Sequence, residues 1–104
     1  MARSNRIGTH CTTIRHEIDL VNPDRGNITH VTFHSTDVVT FDDLTVKLDN
    51  GGYWTATTKV RMNQVANEFG LGFQVYQHKG VWFVDTPTRE AVPFDPQGRI
   101  QFNR

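Results

Sequence analysis

One stretch of this 104-residue chain carries an apolar stripe of helical period, and strand-like sequence flanks it on both sides. Met62, Val65, Ala66 and Phe69 recur at i, i+3, i+4 and i+7, the spacing that lines one face of a helix. Residues 58–69 are therefore read as one helix of about three turns. Thr57 or Thr58 would cap its start with a hydroxyl, and Gly70 accepts the left-handed conformation that stops it.

Everything else with a pattern reads as β. Val31 and Phe33 alternate with Thr32 and His34, and Val38-Val39-Thr40-Phe41 is β-branched and aromatic. Thr45–Asp49 alternates with Val46 and Leu48 inward, and Asn50-Gly51-Gly52 is the strongest hairpin signal, with Tyr53–Thr57 as its expected return strand. Beyond the helix, Phe73–Gln77 and Val81–Asp85 flank His78-Lys79-Gly80 as a second hairpin. Asp95-Pro96-Gln97-Gly98 is a type I turn pattern between short strands at Val92–Phe94 and Arg99–Phe102. Residues 1–27 are polar and form an arm or an edge strand, with alternation over Thr13–Val21 and a turn at Asn22–Asn27. The expectation is one small α+β domain, compact over 28–104, in which the single helix packs on one face of a mainly antiparallel sheet. Its core should hold Phe33, Val46, Leu48, Trp54, Met62, Val65, Phe69, Val75 and Phe83.

Charge narrows the partners. Eleven basic and eleven acidic residues cancel, so no global field draws the chain to duplex DNA or an anionic membrane. No apolar run is long enough to span a bilayer, and Met1–His10 lacks an apolar secretion core. A single cysteine, Cys11, excludes a disulfide scaffold and a multi-cysteine zinc site. These features predict a soluble cytoplasmic protein without a membrane partner or cofactor.

The richest segment for chemistry is Tyr53–Asn63. A helix start exposes unpaired amides and a partial positive charge, and acids ordinarily sit there. Here Lys59 and Arg61 are placed in the first turn and no acid is. Either both cations are solvated and Thr58 is a plain cap, or Thr55, Thr57, Thr58, Lys59 and Arg61 converge on an anion. Tyr53 beside them would supply a stacking face, which suggests a nucleotide or single-stranded nucleic acid. A different chemistry comes from His30 and His34, which would share a strand face with Asp37 nearby, a pattern open to a metal-assisted hydrolase or to a bland polar strip. Ser35 beside His34 makes no triad, and Gly70-Leu71-Gly72 lacks the third glycine of a dinucleotide loop.

His34-Ser-Thr-Asp-Val-Val, followed by Leu48-Asp-Asn-Gly-Gly-Tyr-Trp-Thr-Ala-Thr-Thr-Lys-Val-Arg-Met-Asn, resembles small bacteriophage-encoded proteins over residues 34–64. In those a Trp-Arg-Thr run is common where this chain has Tyr53-Trp54-Thr55. The resemblance implies a phage accessory protein acting inside a bacterial host, and it carries no activity with it. The expected function is a non-enzymatic binding protein for a phosphate-bearing ligand or a host protein. The alternatives are a homo-oligomer joined through a sheet edge and the metal-assisted hydrolase.

Overall fold

The computed structural model describes residues 12–18, 20–21 and 26–104. The expected arm before residue 12, Cys11, and residues 22–25 of the expected turn lie outside the described residues. Among the described residues, eight strands and one helix follow in the order β1 (Thr12–Ile18), β2 (Asn27–Phe33), β3 (Thr36–Phe41), β4 (Thr45–Asp49), α1 (Ala56–Phe69), β5 (Gln74–His78), β6 (Val81–Asp85), β7 (Ala91–Pro93) and β8 (Arg99–Asn103). The class is α+β, as the sequence indicates, but the strands divide between two antiparallel sheets. One has the order β1-β2-β3-β4-β8, the other β5-β6-β7.

Tyr53–Thr57 is not a return strand: it runs out of the Asn50–Gly52 turn as a short connection and enters α1. The edge of β4 that it would need is taken by β8, with Asp49 facing Arg99 and Thr45 facing Asn103. The turn at Asp95–Gly98 joins two short strands, as the sequence indicates. It carries the chain from β7, paired with β6, to β8 in the other sheet. Gly98 there has φ +86°, a value open to glycine.

The helix begins at Ala56, two residues before the expected start, because Thr55 rather than Thr57 or Thr58 is its cap. Thr55 Oγ1 accepts the Thr58 amide at 3.3 Å. Thr58 is itself buried, so its methyl extends the stripe of Met62, Val65 and Ala66 by one turn. Gly70 ends the helix in the left-handed conformation and its N–H returns to the Ala66 carbonyl, as expected. Asn63 pins the helix to β5: its Nδ2 donates to the Val75 carbonyl at 2.9 Å and its Oδ1 accepts the Val75 amide at 2.7 Å.

One buried cluster joins both sheets and the helix, including Val31, Val39, Val46, Leu48, Met62, Val65, Val75, Trp82 and Val84. Consecutive Val38 and Val39 are both buried because the register between β2 and β3 shifts at Val31/Thr32, leaving an extra residue that re-aims the strand. Two expected core residues are elsewhere. Phe83 faces outward and stacks on Tyr76 at 5.7 Å, while Trp82 and Val84 point in. Trp54 is 44% exposed and meets the Trp82 ring edge-on at 5.3 Å.

Candidate functional site

A cleft of about 650 Å³ opens where α1 begins. Its walls bring together Tyr53, Thr55, Thr57 and Thr58, four of the six residues singled out from the sequence. The opposite wall is His34, Ser35 and Thr36, from the turn joining β2 to β3 and the first residue of β3, and Asn50 is also part of the lining. Lys59 and Arg61 do not join them. With the helix starting at Ala56, Lys59 ends the first turn and Arg61 belongs to the second, and they diverge. Lys59 Nζ donates to Gln77 Oε1 at 2.8 Å and sits over the Trp82 ring. Arg61 reaches the other way, donating from Nε to Thr12 Oγ1 and from Nη1 to Gln64 Oε1, each at 3.1 Å, above the Phe33 ring.

The electrostatics of the cleft therefore come from dipoles. The first turn of α1 holds no acid, and no carboxylate lines the cleft among the described residues. Thr55 serves the amides of Thr58 and Lys59. The amides of Ala56 and Thr57 precede the first intrahelical bond and have no acceptor within the helix. Asn50 adds a second demand. It is 1% exposed, and its Nδ2 has no hydrogen-bond acceptor among the described residues. Its Oδ1 accepts the Gly52 amide at 2.9 Å, which fixes the amide orientation and leaves the NH₂ group as the orphan. Such a buried donor costs on the order of 1–3 kcal/mol unless an acceptor arrives. Thr55 and Thr58, whose hydroxyls lie 3.0 Å apart, thus line one hollow with Asn50, and the exposed Tyr53 ring is part of the same lining.

The histidine alternative meets a geometric obstacle. His34 is not on the strand face of His30. It follows the end of β2 with φ +57° and packs on Phe33 at 4.3 Å between ring centres. His30 stands on the outer face between two carboxylates, its Nε2 at 2.8 Å from Glu17 Oε1 and its Nδ1 at 3.5 Å from Asp37 Oδ2. The acids flank opposite ring nitrogens, so they do not converge on one point with a nitrogen between them. No group of three or more His, Cys, Asp or Glu side chains suited to a metal occurs among the described residues.

Asp37 is instead the hub of an ion-pair network. Arg15 Nη2 donates to both its oxygens at 2.8 Å, and the Thr32 hydroxyl donates to Oδ1. Burial alone would raise the Asp37 carboxyl. The hydrogen bonds from Thr32 and Arg15, with the charges of Arg15 and His30, outweigh it and hold the group below its ordinary value of 3.8.

Comparison with known proteins agrees with the phage resemblance. The family model described as Kyanoviridae Gp96 protein matches residues 1–101. The chain belongs to this family. It is therefore a phage protein, and the match extends well beyond residues 34–64 on both sides. No curated protein and no solved structure matches the chain. No helix among the described residues is long and apolar enough to cross a membrane.

Sequence reasoning passed over Asn50, Ser35 and Thr36 as parts of the cleft in this Gp96-family chain. All three carry turn chemistry, and turn chemistry hides burial: the same Asn-Gly-Gly that marks a reversal also places Asn50 under the Gly98 backbone, with the Asn50 backbone N–H donating to the Gly98 carbonyl at 2.9 Å.

Proposed function

We propose that this phage protein is a non-enzymatic accessory protein that holds a small phosphate-bearing ligand, of the nucleotide class, in the cleft at the start of α1. The observation that carries the reading is the buried, unpartnered Asn50 amide lining the same hollow as an acid-free helix start. Both features ask for an acceptor, and a phosphate oxygen meets both. The contacts fall to Thr55, Thr57 and Thr58 with Asn50, and Tyr53 offers a ring for a base to stack on. Lys59 and Arg61, held by Gln77 and Thr12, act on the ligand through their field alone. Zero net charge favours a small ligand over a long duplex, whose binding draws on many cationic contacts.

Thermal unfolding with inorganic phosphate, a mononucleotide and a short single-stranded oligonucleotide tests this reading. A ligand present at a hundred times its dissociation constant adds about 2.7 kcal/mol of stability. Thr57→Glu places a carboxylate where the phosphate would sit and should remove that gain. Lys59→Ala with Arg61→Ala should keep most of it. If no probe stabilises the protein, or Thr57→Glu responds like the parent, the assignment is overturned.

A further inference from the structure

Among the described residues, β1 is the outermost strand of the five-stranded sheet and pairs with β2 alone. It spans seven residues, and each from Thr13 to Ile18 is exposed. The usual protections of a sheet edge are absent from it: it contains no proline, its pairing with β2 has no register shift, and its charged residues Arg15 and Glu17 lie on the polar outer face. The other face of β1, shared with Val31, presents Ile14 at 42% and Ile18 at 70% exposure. A long, regular edge with two exposed isoleucines on one side is a template for another strand.

We propose that this edge pairs with β1 of a second copy of the chain, antiparallel, about a twofold axis through His16. The register follows from chemistry. Residues that face one another across an antiparallel pair share a sheet face, so the axis must pass through a residue. An axis at Arg15 sets two guanidiniums opposite each other, which is destabilising. An axis at Ile14 faces Thr13 with Arg15 and leaves Glu17 and Ile18 without partners from the strand. An axis at His16 faces Ile14 with Ile18 of the second copy, and Arg15 with Glu17 of the second copy, each pair occurring twice. Apolar then meets apolar on the inner face, and opposite charges meet on the outer face.

The outer-face network supports the same register. Within one copy, contacts run from Arg15 to Asp37, from Asp37 to His30 and from His30 to Glu17. Arg15 and Glu17 are the two ends of that chain. The His16 axis joins each end to the opposite end in the second copy, so the two chains close into one ring of polar contacts. A twofold isologous contact of this kind is self-limiting, and it merges two five-stranded sheets into one of ten strands.

Cysteine scanning of the full chain in a Cys11→Ser background reads the register directly. His16→Cys should cross-link into a disulfide dimer on mild oxidation, since residue 16 alone faces its own copy, whereas Ile14→Cys and Arg15→Cys should give little. Sedimentation equilibrium should show the parent as a dimer, and Ile18→Lys, a change at an exposed position, should weaken association about tenfold or more while leaving the circular dichroism spectrum unchanged. A parent that stays monomeric across the concentration range overturns the proposal. So does preferred cross-linking at residue 14 or 15, or an Ile18→Lys variant that associates like the parent.

Discussion

The outer face of the five-stranded sheet and the cleft at the start of α1 are both concave and polar, yet they are built on opposite terms. The sheet face encloses more space, about 1000 Å³ against about 650 Å³, and is lined by Arg15, His30, Lys47 and Arg99. Its charges are largely answered from within: Arg15 by Asp37 at 2.8 Å, Arg99 by Asp49 at 3.4 Å, and His30 by Glu17 and Asp37. Among the described residues, the cleft has no carboxylate in its lining, and the buried Asn50 Nδ2 has no hydrogen-bond acceptor. Unanswered hydrogen-bonding capacity, rather than volume or the number of charged side chains, is what separates the two concavities.

That contrast can be broken at several points, and the largest effect is expected where the cleft meets its support. A Cβ on Gly98 would lie 1.9 Å from Asn50 Oδ1, and the residue sits at φ +86°. Gly98→Ala should therefore cost roughly 2–4 kcal/mol in a urea titration, through backbone strain and loss of the Asn50–Gly52 bond. It should also abolish any response to phosphate. Retained binding would mean that Asn50 plays no part in the cleft.

Thr57→Glu sharpens the comparison because stability and binding should move in opposite directions. A carboxylate at an acid-free helix start adds about 0.3–1 kcal/mol to the free protein, while the ligand-induced shift in melting temperature disappears. A variant that loses stability would show that the helix dipole is not the dominant field in the cleft.

The smallest effects belong to the sheet face. Arg15→Gln breaks an exposed pair and should cost under about 1 kcal/mol at neutral pH. The Asp37 carboxyl is held below 3.8 in the folded chain, so its contribution is complete above that value and is lost as pH falls through the lower folded one. The parent should therefore lose stability as pH drops below about 4, and Arg15→Gln should show a shallower acid limb. Equal slopes in the two proteins would remove Arg15 from the account of Asp37.

Much of the architecture was legible in the sequence. The stripe from Met62 to Phe69 announced the only helix among the described residues, and Gly70 announced its end. Alternation placed Val31, Val46 and Leu48 in the core. Legibility failed where a pattern was compatible with two outcomes. Val81-Trp82-Phe83-Val84 is apolar on both faces of a strand, so alternation does not choose between Trp82 and Phe83; the fold buries the larger indole, and Phe83 pairs with Tyr76 outside. Thr55, Thr57 and Thr58 are all competent caps, and burial of Thr58 decided among them. Tyr53–Thr57 has strand-like composition, but composition says nothing about whether a neighbouring edge is vacant, and that edge belongs to β8. At the candidate site, the threonines and Tyr53 were visible as a cluster. The divergence of Lys59 and Arg61 was not, since it depends on Gln77 and Thr12, residues distant in the chain.

The pairing of β4 with β8 bears on how this protein is made. β4 is synthesised before α1, and its partner β8 only after α1 and β5 to β7. Until then the β4 edge has open amides and carbonyls while β1 to β3 are already available to pair. β8 fills that edge from beyond the helix and the second sheet, so a translation product stopped after Pro93 would present it unfilled to any other extended polypeptide.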